Sequence, residues 1–213
     1  MKKLNILSLF DGISCGQVAL QRAGIKVNKY YASEIEQHPI AITQYNFPDT
    51  IQLGDINNWR EWNIDWNTID VVIGGSPCQG LTFAGKKLQL EDERSKLFFV
   101  YIDILNYLRE INPNIKFFLE NVKMNSESES IFNELIDCKP YKINSNLVSA
   151  QNRQRNYWTN IDGFLFQKTK VLLLKILLEK KTTINIIYQL NICKHFTNLI
   201  SGKKHLLTVN LLH

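Results

Sequence analysis

Over the first 160 residues, short apolar blocks alternate with glycine-containing or polar turns. Residues 4–10, Leu-Asn-Ile-Leu-Ser-Leu-Phe, predict a buried first strand that turns at Asp11-Gly12. Gln17 to Ala23 has helical spacing and stops at Gly24. Val27 to Ala32 predicts a second strand, His38 to Tyr45 a helix ended near Pro48, and Ile51 to Leu53 a short third strand. Ile69 to Ile73 is an apolar run closing on Gly74-Gly75, as in a central parallel strand. A long amphipathic helix follows over Leu97 to Leu108, then a strand over Lys116 to Glu120. Ser126 to Ser130 reads as a solvated helix start, and Tyr141 to Val148 and Arg155 to Thr159 as two late strands. Strands alternating with helices imply an α/β fold, a doubly wound and mostly parallel sheet covered on both faces.

The pattern fails beyond about Leu165. The tail is rich in Leu, Ile, Lys, Asn and Thr, has Gly202 as its one glycine, and lacks proline. Residues 171–178 are apolar almost all round. Composition therefore divides the chain into a domain over 1–163 and an atypical, Lys/Leu/Ile/Asn-rich tail over 164–213. Charge divides it the same way. Residues 1–163 carry 17 Lys+Arg against 19 Asp+Glu, whereas the tail carries 8 lysines and one acid, Glu179. The overall +5 is a property of the tail, so it does not make the domain a nucleic-acid binder. No stretch of 18 uncharged apolar residues suggests a membrane span, and the N-terminus meets Asp11 too soon for a signal peptide. A cytoplasmic protein with no membrane partner is the expectation. Cys15, Cys78, Cys138 and Cys193 form no C-x-x-C pair and have no histidine at ligand spacing, so free thiols and no metal site are expected.

Chemistry-bearing residues gather at the strand ends. In the turn Phe10 to Gly16, glycines let the backbone approach a ligand and let the helix pack closely. The spacing is G-x-x-x-G, and Asp11 would repel a pyrophosphate but suit a cationic or amino-bearing ligand. Glu34 follows the second strand where an acid bonds ribose hydroxyls, with Glu36 as the competing choice. Asp55 could accept from an adenine amino group. Cys78, in a loop fixed by Pro77 and followed by Gln79, is placed for a lowered pKa and nucleophilic attack. A buried inert thiol and solvated carboxylates are the plainer alternatives. Gly80 to Lys87 fits G-x-x-x-x-G-K, but Lys87 stands where a magnesium-binding hydroxyl is needed, which excludes a nucleoside-triphosphate loop. Glu120, closing an apolar strand before Asn121-Val122, should be partly desolvated and able to keep a proton. After Gln151, Arg153 and Arg155 lie two apart and could form a fork for carbonyl or phosphate oxygens.

In this order, Phe10-Asp11-Gly12 with Gly16, Glu34, Asp55, Pro77-Cys78-Gln79, Glu120-Asn121-Val122 and Gln151/Arg153/Arg155 resemble the cytosine-C5 DNA methyltransferase family. The resemblance covers roughly residues 4–163. It implies the Rossmann-like methyltransferase fold and S-adenosylmethionine as methyl donor. Phe10, Asp11, Gly12, Gly16, Glu34, Asp55 and Pro77 would then bind the donor. Cys78 would be the nucleophile that adds to C6 of a cytosine flipped from duplex DNA. Glu120 would act at N3 and Arg153 and Arg155 at O2, with Gln79, Asn121 and Gln151 beside the substrate. The resemblance also implies a prokaryotic or phage setting. Members of the family continue into a target-recognition domain. The tail does not resemble one, so a truncated or frameshifted member is expected, impaired unless a second polypeptide supplies recognition. An RNA cytosine-C5 methyltransferase, an inactive remnant and a regulatory or split subunit stay open as alternatives.

Overall fold

The computed structural model describes residues 2–77, 93–147 and 151–161. The chain forms β1 (Leu4–Leu9), α1 (Cys15–Arg22), β2 (Val27–Ser33), α2 (Gln37–Asn46) and β3 (Ile51–Gln52). Two 3-10 turns, Ile56–Glu61 and Trp66–Thr68, precede β4 (Val71–Gly74). Then come α3 (Glu93–Ile111), β5 (Lys116–Val122), α4 (Ser126–Ile136), β6 (Tyr141–Asn144) and β7 (Gln154–Thr159). The strands form one sheet in the order β3-β2-β1-β4-β5-β7-β6. The pairs among β1 to β5 are parallel, and β7 runs antiparallel to both neighbours. This is the mostly parallel α/β sheet that the sequence predicts.

Alternation along the strands builds two cores. Leu7, Leu9, Val72, Phe117, Leu119 and Trp158 face one side, and Ile6, Tyr30, Ala32, Ile73, Phe118 and Tyr157 the other. The first side packs against Phe98, Tyr101, Leu105 and Leu108 of α3, one helical stripe, and against Phe132 and Ile136 of α4. The second packs against Ala19 and Leu20 of α1. Helices therefore cover both faces, which is why the central strands are apolar on every residue rather than on alternate ones.

Three local features depart from the sequence reading. The strand from Tyr141 ends at Asn144, short of Val148. The Asn144 side chain accepts the backbone N–H groups of Asn146 (3.2 Å) and Arg153 (2.9 Å), and this turn replaces a continued ladder. The start of α4 is only partly solvated, because Ser128 is buried and Asn125 caps the helix by accepting from its N–H at 2.8 Å. Residues 55–68 form a compact unit that periodicity does not reveal. Asp55 and Asp65 cap its two 3-10 turns, and Trp66 packs edge-on against Trp59 and against Tyr107 of α3, with the Trp59 ring tilted on Tyr107. Cys78, Gln79, the segment Gly80 to Lys87 and the tail 164–213 lie outside the described residues. Among the described residues no helix is long and apolar enough to cross a membrane.

Candidate functional site

The sheet register aligns Ser33, Leu9, Gly74 and Leu119 across four neighbouring parallel strands. The next residues, Glu34, Phe10 and Gly75, therefore leave the sheet side by side at its carboxyl edge, next to Glu120, which stays in β5 and pairs with β7. That is where open α/β sheets bind ligands. A cleft of about 580 Å3 opens there, lined by Phe10, Glu34, Asp55 and Pro77 from the predicted set and by Ile56 and Leu97. Its size suits a small organic molecule, for which sites of roughly 300–1,000 Å3 are usual. Sequence reasoning missed Ile56, Lys96 and Leu97 in this wall. They come from the 3-10 turn after Asp55 and from α3, outside the strand-end motifs that sequence reasoning singles out.

Two of the acids at the cleft, Glu34 and Asp55, are held by hydrogen bonds within the protein. The Glu34 carboxylate accepts three backbone N–H groups, from Gly12 and Ile35 at 2.8 Å and from Glu36 at 3.0 Å. Glu36 also lines the cleft, but its side chain caps nothing. Asp55 Oδ1 accepts from the backbone and side-chain amides of Asn57 at 2.9 and 2.8 Å, leaving Oδ2 for a ligand.

Three residues expected at the ligand behave differently. Asp11 is turned away from the cleft, and its carboxylate accepts from the hydroxyls of Ser8 (2.5 Å), Tyr30 (2.8 Å) and Ser14. Desolvation pushes its pKa up to about 6 against the pull of those hydroxyls. Gly16 serves helix packing: a Cβ there would meet Ile73 Cδ1 and the Tyr30 hydroxyl at 2.5 Å. Gly12 touches the site through its N–H to Glu34, in a left-handed conformation at φ 61°. Phe10 and Ser14 are also left-handed, at φ 57°, a state that costs a non-glycine residue about 1–3 kcal/mol and persists only when its surroundings enforce it.

The other side of the row is charged. Glu120 is buried, and its Oε1 lies 2.9 Å from Arg155 Nε. Glu120 pairs with Tyr157 and Val122 with Arg155 in the ladder, so the two charged residues are diagonal neighbours on one face of β5 and β7. Arg153 precedes β7 and its charge is felt by the same group. Desolvation lowers its pKa, Arg155 adds to that effect, and Glu120 opposes it. The expected fork of two arginines thus has an acid between its prongs. Asn121 is buried rather than open to a substrate. Its Nδ2 donates to Ser76 Oγ at 3.0 Å and ties β5 to the loop that carries Pro77. Gln151 is half-buried, and its carbonyl accepts from Ser145 Oγ at 2.7 Å.

Comparison with known proteins identifies the family. The profile described as C-5 cytosine-specific DNA methylase matches residues 4–198. The match runs past Gly163 to Leu165, where composition alone ends the family-like segment, and so includes part of the atypical tail. The orphan methyltransferase M.Rho11sI of Bacillus phage rho11s is 32% identical over 170 residues, covering 74% of this chain and 33% of that protein. The type II methyltransferase M.NlaIV of Neisseria lactamica is 27% identical over 181 residues, covering 75% of this chain and 41% of that one. The chain thus spans less than half the length of these curated relatives. Among solved structures, a variant of DNMT2 from Spodoptera frugiperda superposes with a TM-score of 0.53 at 25% identity, over 78% of this chain and 53% of its own. With a family profile matched along most of its length and the matching strand-end residues on one edge, the chain belongs to the C-5 cytosine-specific DNA methylase family.

Proposed function

We propose that the protein transfers a methyl group from S-adenosylmethionine to C5 of cytosine in DNA. One observation carries the reading. A cleft with two pre-fixed carboxylates, Glu34 and Asp55, and a buried Glu120–Arg155 pair share one row of strand ends. The donor fits the cleft chemically. Glu34 has lone pairs left for ribose hydroxyls, Asp55 Oδ2 suits the adenine amino group, and Phe10 and Pro77 supply apolar walls. When bound, the donor supplies a methyl group on a cationic sulfur. Asp11, in this reading, holds the turn rather than touching the donor.

Cytosine C5 is a poor nucleophile until C6 is saturated. Cys78, the residue after Pro77, provides the thiolate that bonds to C6. The C5–C6 π pair is displaced towards N3 and O2, where negative charge grows; it returns through C5 to the methyl carbon as that carbon's bond to the donor sulfur breaks and S-adenosylhomocysteine leaves. Glu120 serves N3, and Arg155 with Arg153 serves O2, a preorganised electrostatic stabilisation of the transition state. A base then takes the C5 proton and the thiolate leaves C6. Asn121 holds Ser76, the residue before Pro77. The cytosine must leave the stack, at a cost of about a few kcal/mol. Residues 1–163 carry net −2 and offer phosphates little attraction. We therefore treat them as the catalytic unit and keep 164–213 as a separate segment.

Methyl-labelled S-adenosylmethionine, supplied with duplex DNA or tRNA to the full chain, tests the reading. It expects 5-methylcytosine in DNA. Label confined to tRNA establishes the RNA alternative, and donor binding without transfer to either establishes a non-catalytic subunit.

A further inference from the structure

We propose that Tyr30 is a positioning residue for donor binding: its hydroxyl, acting through Asp11, holds the β1–α1 turn in the shape that presents Phe10 and Gly12–Glu34 to the cleft. The inference rests on the donor reading above and extends it to a residue that touches neither donor nor base.

Tyr30 lies in the core between the sheet and α1, 3% exposed. A phenylalanine would fill the same apolar space. The hydroxyl instead occupies the volume that a Cβ on Gly16 would need, and it donates to Asp11 Oδ1 at 2.8 Å. A buried hydroxyl and a buried carboxylate each cost free energy unless they are paired. Here they are paired to each other and to more of the turn. Ser8 of β1 donates to the same oxygen, and Ser14, the residue before α1, donates to the other. The chain of bonds continues as Gln17 Nε2 donates to Ser14 Oγ at 3.2 Å and to Thr50 Oγ1 at 2.7 Å. Asp11 is thus gripped at once from β1, from β2 and from the residue before α1.

Its position in the chain gives that grip a consequence. Asp11 lies between Phe10 and Gly12, both left-handed, and Phe10 has no intrinsic preference for that state. If Asp11 loosens, Phe10 relaxes away from the cleft wall. Gly12 then withdraws the N–H that fixes Glu34 at 2.8 Å. Both ends of the donor contact move together. The hydroxyls can all donate to Asp11 only while it is ionised, and the titratable groups facing it are Tyr30 and Glu34. Losing the Tyr30 donor therefore makes protonation of Asp11 easier.

The test is Tyr30→Phe in the full chain, with two readouts: hydrogen exchange of the Gly12 amide without ligand, and titration with S-adenosylhomocysteine across pH. A lost hydrogen bond to a charged group should speed Gly12 exchange and weaken binding by about tenfold each. The pH below which affinity falls should move upward, a change that general loosening of the core does not produce. Should Tyr30→Phe fail to fold, Ser8→Ala removes a donor to the same oxygen and should act in the same direction. Unaltered protein that does not bind S-adenosylhomocysteine overturns the donor reading, and with it the purpose assigned to Tyr30. Normal binding by unaltered protein, with Gly12 exchange, affinity and pH profile unchanged in the folded variant, overturns the Tyr30 inference alone.

Discussion

The two sides of the strand-end row hold their carboxylates in opposite ways. On the donor side, Glu34 and Asp11 are surrounded by neutral donors, backbone amides for one and hydroxyls for the other. On the transfer side, Glu120 is opposed by a full cation, Arg155. Neutral donors spread the stabilisation of a charge over several groups and fix its direction, which suits a binding surface whose shape must be ready in advance. An ion pair in a buried place concentrates the stabilisation in one partner. Losing that partner removes much of the compensation at once. The donor side should therefore lose geometry gradually under mutation, and the transfer side should lose stability abruptly.

Arg155→Met breaks the comparison most directly. It removes the ion-pair partner 2.9 Å from Glu120 and should cost about 4 kcal/mol in urea unfolding, and restoring neutrality with Glu120→Gln in the same chain should recover much of it. A smaller effect, about 3 kcal/mol at most, belongs to Asp11. Its folded pKa of about 6 lies above the ordinary value of 3.8, so the folded protein binds the proton more tightly. This contribution is fully present below pH 3.8 and is lost as pH rises through about 6. Relative to Asp11→Asn, unaltered protein should lose stability over that window in parallel chemical-unfolding series. Gly16→Ala pushes a methyl into Ile73 and the Tyr30 hydroxyl and should cost about 2 kcal/mol. It should also weaken donor affinity, unlike a change elsewhere in the core. Asn125→Ala, at the N-terminus of α4, sharpens the contrast from outside both regions. It should lower the melting point by the equivalent of about 1 kcal/mol and leave donor affinity unchanged.

The sheet was legible because its central strands are buried on both faces and read as apolar runs. Phe117-Phe118-Leu119 and Val71-Val72-Ile73 leave little else to be. The candidate residues were legible as types near the carboxyl ends of strands, since Glu34 follows β2, Asp55 comes shortly after β3 and Glu120 lies near the end of β5. Their partners were not. Asp11 reads as a ligand acid from its place in a glycine turn, and only the fold brings Tyr30, nineteen residues away, onto its oxygen. Asn121 reads as a substrate contact until Ser76, forty-five residues earlier, is found against its amide. The Trp59, Trp62 and Trp66 unit has no strand or helix period because 3-10 turns capped by aspartates shape it. Periodicity reports which face is buried. It does not report which polar groups meet across the chain.

The central claim is that Cys78 forms a bond to C6 of cytosine. The most direct measurement mixes the full chain with S-adenosylmethionine and duplex DNA containing 5-fluorocytosine, whose C5 fluorine cannot leave as a proton does. Mass spectrometry should find a covalent protein–DNA adduct that Cys78→Ser abolishes. An adduct that persists in Cys78→Ser, or its absence from unaltered protein that binds both donor and DNA, contradicts the account.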